Sequence, residues 1–492
     1  MQVEHNSLHT VIRIQALESV RWTFLAEVIS RLIQPIVTLI LARILLPEDF
    51  GLISIAMIVI GLAQQFQDFG FGKTLIQREN EIEKSANIIF LLNIAFSFIL
   101  YGIIFIIAPL VAKFFHNQNA TIVLRILSLQ VILISFSIVQ QALLRRNFKF
   151  KELFFIRIIS ALFPGFVSIA LALSGFGVWA LVFGAIASSV LQAYLLWKLS
   201  LWRPRICFDF SLAWELFHFS KWISLEMFFG WLILWGDSII LGYFLGVKDL
   251  GIYRVGIACL ILVFDVIFNP LLPVLFSFFS RLQHDAKRLR QEFIAINRLV
   301  ALVSLPLGAG LLFFAPTISL MVFGQKWLGI DMVIGLLGIM YGVGWLVGIN
   351  PEIYRAIGRP DIQPKLLMIS VLFYIPVYIV FARYGLFQFC LARLALAILM
   401  IPFHLWICSK VMNIAIFKLV QNMLRPSAGV LIALGLVYLT DKFIFLGTFI
   451  WYQNLLAILL YLAFYIFLMW IFDRKFIRII YVLAKTVMVN LS

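Results

Sequence analysis

Charge is what this sequence has least of. Of 492 residues only 39 are Lys or Arg and 23 are Asp or Glu, 13% together, about half the roughly 25% that a soluble chain carries. With 63% apolar residues, 49 Phe and a mean hydropathy of +1.05, a water-soluble globule would expose long apolar stretches and aggregate. A polytopic membrane protein is the class that remains. Cysteine is scarce too: Cys207, Cys259, Cys390 and Cys408 show no paired spacing, which excludes a disulfide framework or a zinc site. Long polar segments are missing, since no stretch between apolar runs exceeds about 20 residues and a folded catalytic domain needs far more. Neither a phosphate-binding Gly-rich Lys-Ser/Thr loop nor an Asp-x-Asp metal pair occurs, so nucleotide hydrolysis and enzyme chemistry generally are not expected. Glu4, Glu18 and Glu27 interrupt the first 30 residues, which argues against a cleaved signal peptide. The net charge of +16 then reads as topogenic Lys and Arg and attraction to anionic headgroups, with no nucleic acid implied.

What is there is apolar runs of bilayer length. About 20 residues cross a hydrocarbon core, and fourteen such runs are bounded by charge, Pro or Gly: 22–44, 50–70, 87–112, 120–144, 153–174, 177–198, 217–240, 250–279, 294–323, 331–354, 365–384, 386–409, 426–445 and 449–472. Gly175-Phe176 and Gly385 each separate two runs so briefly that tight helical hairpins follow. Assigned to alternating sides, the Lys and Arg outside the spans fall 29 against 8, which puts both termini in the cytoplasm.

The sequence also repeats. At an offset of 200, Leu41, Leu45, Asp49 and Gly51 meet Leu241, Leu245, Asp249 and Gly251; at 210, eleven of the 29 residues of 159–187 are identical to those of 369–397. Chance matching among apolar residues is the competing explanation, but both matches set a polar turn at one place relative to the spans. Two parallel six-helix bundles follow, with a substrate path at their interface: an N-terminal lobe 1–200, a second lobe 201–410, and two appended spans with a tail, 411–492.

Ionisable and amide side chains inside spans are costly unless they face a cavity or a partner. In span one Glu27, Arg31, Gln34 and Thr38 recur at four, three and four, so one helix face is polar; either Glu27 and Arg31 form an intrahelical pair, or the stripe lines a cavity and its arginine meets an anion. In span eight Arg254, Asp265 and Asn269 share a face, Asp265 about 22 Å from the helix start. Gln65 is the counterpart of Asp265 in span two, beside Asp68. Pro270 and Pro273 free backbone carbonyls near 266–269, which with Asp265 and Asn269 would make cation ligands; a kink with Asp265 bonded to a neighbouring helix is the plainer alternative. Glu226 and Asp237 share a face of span seven, and span twelve carries Arg393 and His404. The cavity candidates are therefore Arg31, Gln34, Gln65, Arg254 and Arg393, and the ion-coupling candidates Asp265, Asn269, Glu27, Glu226 and Asp68. Arg43 and Arg125, like Arg254, lie near outer span ends, where snorkelling is the expected role.

The stretch Leu41-Ala-Arg-Ile-Leu-Leu-Pro-Glu-Asp-Phe-Gly-Leu52, then Gln67-Asp-Phe-Gly-Phe-Gly72, Leu75-Ile-Gln-Arg78, Gln141-Ala-Leu-Leu-Arg-Arg-Asn-Phe148 and Ala356-Ile-Gly-Arg-Pro360 resembles bacterial polysaccharide flippases. The likeness is to the colanic-acid exporter and teichuronic-acid type, within the multidrug, oligosaccharidyl-lipid and polysaccharide exporter superfamily. It covers nearly the whole chain. The resemblance implies two lobes around a central cavity walled by spans one, two, seven and eight, and transport of an undecaprenyl-diphosphate-linked oligosaccharide to the outer leaflet of the bacterial cytoplasmic (inner) membrane for exopolysaccharide or lipopolysaccharide biosynthesis. It implies no cofactor beyond a coupling Na+ or H+; the expected partners are the lipid-linked substrate, membrane lipids, a polysaccharide polymerase and glycosyltransferases. Two rivals are a multidrug exporter of the same fold, which favours acidic cavity residues, and a polyprenyl-linked glycan ligase or polymerase, which would carry a long outer loop with Arg and His that this chain lacks.

Overall fold

A computed structural model describes residues 32–68, 81–205, 209–443 and 451–472, with Ile29 and Leu75, though not the side chains of 68, 210–227, 229, 441, 443, 451 and 452. Every regular element among them is helical. In chain order these are α1 (Leu32–Ile44), α2 (Pro47–Asp68), α3 (Ile82–Phe114), α4 (Asn119–Leu127), α5 (Leu129–Arg146), α6 (Phe150–Leu173), α7 (Val178–Leu199), α8 (Phe210–Phe268), α9 (Leu271–Arg281), α10 (Ala286–Ile318), α11 (Ile330–Gly348), α12 (Asn350–Ala356), α13 (Ile362–Ala382), α14 (Leu386–Met412), α15 (Ile416–Phe443) and α16 (Trp451–Phe472).

Twelve helical stretches among the described residues are long and apolar enough to cross a membrane, and α1 is a shorter apolar helix. Fourteen were expected. One stretch, Gly230–Arg281, holds both the seventh and the eighth run, which join at Gly246; its φ of 85° and ψ of −174° break the helix in a conformation only glycine adopts freely. Large apolar side chains lie outward along these helices, among them Ile106 at 74% exposed and Leu372 at 72%, as expected where lipid is the solvent.

The chain forms two compact units: the described residues up to Leu262 with Tyr378–Leu386, and those of Val263–Val377 with the described residues from Phe387 on. In the first, Ile60, Leu124, Val131 and Val182 close a core between α2, α4, α5 and α7. In the second, α15 and α16 pack on α10 around Val437, Ala433 and Tyr461.

Proline-freed carbonyls recur within both units, and three of them take a side-chain donor, as hydrocarbon favours. Pro109 leaves Phe105 O without its helical partner, and Arg125 Nε donates to it at 3.1 Å while stacking over the Phe105 ring. Arg125 is thus a tie between helices, not the snorkelling residue its position suggests. Pro164 frees Ser160 O, which accepts from Ser188 Oγ at 2.7 Å. Pro306 frees Leu302 O, which accepts from Tyr465 Oη at 2.9 Å and so anchors α16.

The repeat is visible atom by atom. At the α5–α6 elbow the amides of Asn147, Phe148 and Lys149 donate to the carbonyls of Leu143, Arg145 and Leu144, and at the α12–α13 elbow those of Ile357, Gly358 and Arg359 donate to Ile353, Arg355 and Tyr354, the same three bonds 210 residues on. Phe148 and Gly358 both have positive φ, 56° and 75°. The offset of 200 explains two glycines: a Cβ on Gly51 would lie 1.8 Å from Val247 O, and a Cβ on Gly251 1.8 Å from Pro47 O. Position 47 meets 251 and 51 meets 247, a reciprocal backbone-to-backbone crossing that tolerates no side chain. Asp49, between them, accepts from the Leu46 amide at 3.0 Å and from the Val178 amide that opens α7.

Candidate functional site

A cavity of about 680 Å³ lies within the first unit, walled by α1, α6, α7 and two residues of α8, Ala258 and Ile261. Its polar lining follows helical period. On α6, Arg157, Ser160, Pro164 and Ser168 are spaced three, four and four; on α7, Leu181, Gly184, Ser188 and Gln192 repeat the same steps, and α1 adds Gln34 and Thr38. The helices approach closely on one side, where a Cβ on Gly184 would fall 1.7 Å from Ser168 Oγ and one on Gly165 2.8 Å from Val37 Cγ2. The Ser188–Ser160 bond fastens α7 to α6 at the proline kink, and Thr38 Oγ1 donates to Gln34 O at 2.9 Å. Those hydroxyls therefore spend their protons on backbone and present lone pairs.

Arg157 is the one ionisable side chain lining the cavity among the described residues. The remaining polar groups are hydroxyls and the carboxamides of Gln34 and Gln192. A guanidinium in a wall of low dielectric attracts an anion strongly and binds carboxylate or phosphate through two parallel hydrogen bonds. Neutral hydroxyls and amides around it suit sugar hydroxyls, and among the described residues no carboxylate lines the cavity to hold an organic cation.

The sequence candidates scatter. Gln34 lines the cavity; Gln65, Arg254 and Arg393 are not among the lining residues. Gln65 is half-buried on α2 and Arg393 half-buried on α14 in the second unit, while Arg254 stacks over Trp235 at 4.0 Å from the ring centre. Asp265 and Asn269 sit at the end of α8 in the second unit, where the Asn269 amide donates to Asp265 O and the Leu272 amide to Asn269 O. Glu27 and Arg31 lie outside the described residues, as do the side chains of Asp68 and Glu226. Asp237, set beside Glu226 in the sequence, is a buried acceptor for Tyr253 Oη, Ser238 Oγ and the Ser238 amide. Arg157 and Gln192 escaped the sequence search. Arg157 sits near a helix start and counts among the basic residues of the preceding loop, and serines barely disturb hydropathy. The three-four-four spacing on α6 was the available signal.

A helical membrane protein with a polar cavity whose described lining carries an arginine fits the transporter class. Residues 40–331 match the family described as Polysaccharide biosynthesis protein, and the chain belongs to that family. It is 25% identical over 325 residues to the succinoglycan biosynthesis transport protein ExoT of Rhizobium meliloti (strain 1021), covering 66% of each chain. Identity is also 25% over 353 residues to the teichuronic acid biosynthesis protein TuaB of Bacillus subtilis (strain 168), covering 71% of this chain and 72% of that one. The lipopolysaccharide biosynthesis protein WzxC of Escherichia coli (strain K12) is 24% identical over 379 residues, 75% of each. Among solved structures, the lipid II flippase MurJ in an inward closed conformation shares the fold with a TM-score of 0.76 at 17% identity, over 93% of this chain and all of that one. An inward-facing multidrug resistance MATE family transporter follows at 0.59 and 15%, over 78% and 99%.

Proposed function

We propose that this protein is a flippase that carries lipid-linked oligosaccharide units across a bacterial inner membrane for polysaccharide biosynthesis, by alternating access. The observation that carries the reading is the cavity itself: among the described residues its lining holds one arginine, no carboxylate, and several hydroxyls and carboxamides. A polyprenyl diphosphate cannot cross hydrocarbon with its charge exposed. A cationic polar cavity takes the phosphate and first sugars while the tail stays in lipid. Multidrug transport, the rival within the same fold, fits less well, because cationic drugs need acidic partners.

Arg31, three residues before Gln34 in the sequence, is the candidate for a second cation that meets the substrate. Asp265 is the coupling candidate for Na+ or H+. Both termini are cytoplasmic, and the polymerase and glycosyltransferases of the pathway are the partners. The test is rescue of polysaccharide export in a strain lacking its own flippase, followed by transport of lipid-linked oligosaccharide in proteoliposomes with and without an imposed Na+ or pH gradient. Drug efflux without glycan transport would sink the reading; an Asp265→Asn protein with unchanged gradient dependence would remove that residue from the mechanism.

A further inference from the structure

The two elbows share a backbone and differ in charge. Arg145 and Lys149 on the first correspond at the 210 offset to Arg355 and Arg359 on the second. On the second elbow both cations are answered: Arg355 Nη1 pairs with Glu352 at 3.2 Å, and Arg359 Nε pairs with Asp361 at 3.2 Å, which also takes Lys365 at 2.7 Å. The residues standing where Glu352 and Asp361 would be on the first elbow are Ala142 and Lys151. Arg145 and Lys149 pair with no carboxylate among the described residues, Glu152 included, although Arg145 is exposed and Lys149 partly so.

The tips differ as well. The second elbow turns on Gly358, suited to its positive φ, whereas the first places a phenylalanine in the same left-handed conformation, which bulky side chains rarely adopt. Phe148 is 48% exposed and lies against Phe150, ring centres 6.3 Å apart. An exposed phenylalanine between two unanswered cations, at a turn that joins two membrane-crossing helices, must sit at a headgroup layer, where aromatics and basic side chains both anchor. Glycine would make this turn without strain, so the phenylalanine is there for what lies outside it.

We propose that the first elbow is a docking site for a phosphate-bearing lipid headgroup, bound by Arg145 and Lys149 with Phe148 set among the upper acyl carbons, and that its twin is not. The inference rests on the membrane-spanning fold and not on the flippase reading, whose failure in the export assay would leave it standing. The headgroup has two sources, an anionic phospholipid or a polyprenyl phosphate.

The experiment uses the full chain in nanodiscs of phosphatidylcholine and phosphatidylglycerol with a trace of phosphatidylglycerol photoactivatable near its headgroup, and reads crosslinks to the two elbows. The first elbow should label well above the second. Arg145→Gln with Lys149→Gln should cut that label by roughly tenfold or more, since each basic residue near an anionic surface contributes severalfold, while Arg355→Gln with Arg359→Gln should leave it unchanged. The exchange Arg145→Lys with Lys149→Arg should keep the label, and Phe148→Gly, which eases the backbone, should lower it in a protein that melts no earlier. Added undecaprenyl phosphate that displaces the label at an amount where phosphatidylglycerol does not would identify the carrier lipid; equal displacement would identify bulk phospholipid. Equal labelling of both elbows, or undiminished label in the double Gln protein, overturns the proposal.

Discussion

The hairpins α6–α7 and α13–α14 are one design used twice, and the first lines the cavity with polar side chains at positions the second does not keep. Ser160, Gly175, Leu181, Ala185 and Ala187 reappear as Ser370, Gly385, Leu391, Ala395 and Ala397, and both turns use a glycine at positive φ, 82° and 118°. Yet Arg157, Pro164, Ser168, Gly184, Ser188 and Gln192, all cavity residues, become Leu367, Tyr374, Tyr378, Leu394, Ile398 and Pro402. The second hairpin folds without any of them. The hairpin's shape therefore needs only small residues and the turn glycine, and the polar set on the first answers to something that enters the cavity.

The largest effect should come from giving α6 its twin's residue at the charged position. Arg157→Leu removes the cavity's one described ionisable group, and with it charge-assisted hydrogen bonds of about 1.5–3 kcal/mol to an anionic ligand, roughly ten- to a hundredfold in binding. Polysaccharide export should fall to background at normal protein levels, with Arg157→Lys retaining part of it. Full export by the Leu protein would make the polarity of this hairpin incidental.

Next in size is Gly184→Leu, again the twin's residue. The added side chain meets Ser168 Oγ and Pro164 O, so overpacking of about 1–3 kcal/mol is expected together with a smaller cavity. Thermal unfolding in detergent should shift down for Gly184→Leu, whereas Leu394→Gly in the second hairpin should cost only the packing of one side chain. A Gly184→Leu protein that melts like the parent would mean the α6–α7 approach is not as close as it stands.

Why one hairpin was legible and its cavity was not follows from what each leaves in the sequence. Identity at eleven positions, turn glycines and apolar runs of bilayer length mark the fold, because every helix must satisfy the same hydrocarbon. Charge in a span is equally loud, which is why Asp265 and Arg393 drew attention. A cavity built from Ser160, Ser168, Ser188 and Gln192 is quiet, because uncharged serine and glutamine barely disturb a run of apolar residues. Arg157 was hidden by lying where topogenic arginines also lie. Gln34 was found because it shares a face with two formal charges. Arg125, read as a snorkelling end residue, turned out to serve Pro109, a role visible only once the two helices are side by side.

The third prediction isolates one such quiet residue. Ser188 donates to the carbonyl that Pro164 frees; the twin has Tyr374 and Ile398 there, and its helix prolines stand at other positions, Pro376 and Pro402. Ser188→Ala should cost about 0.6–2 kcal/mol, the usual size of such bonds in membrane bundles. In a Pro164→Ala background, where the Ser160 carbonyl regains its helical donor, the same change should cost much less. A double-mutant cycle on thermal or denaturant stability reads the coupling directly; additive effects would separate the serine from the proline.

The smallest effect belongs to the elbows and concerns acid. Lys365 and then Arg359 hydrogen-bond the exposed Asp361 and hold its carboxyl well below the ordinary 3.8, down to about 2. Because the folded value is depressed, whatever stability this group contributes is fully present above the unfolded value and is lost as pH falls from there through about 2. The first elbow has Lys151 at the corresponding position. Carboxyl NMR of a protein carbon-labelled at aspartate should show Asp361 still ionised at pH 3. Lys365→Met should move its midpoint back toward the ordinary range, further than Arg359→Met does, since the lysine bond is the shorter at 2.7 against 3.2 Å. An Asp361 midpoint near 4 in the parent would mean that its two cations are not bound to it in solution, and that the second elbow, like the first, keeps arginine free for a headgroup.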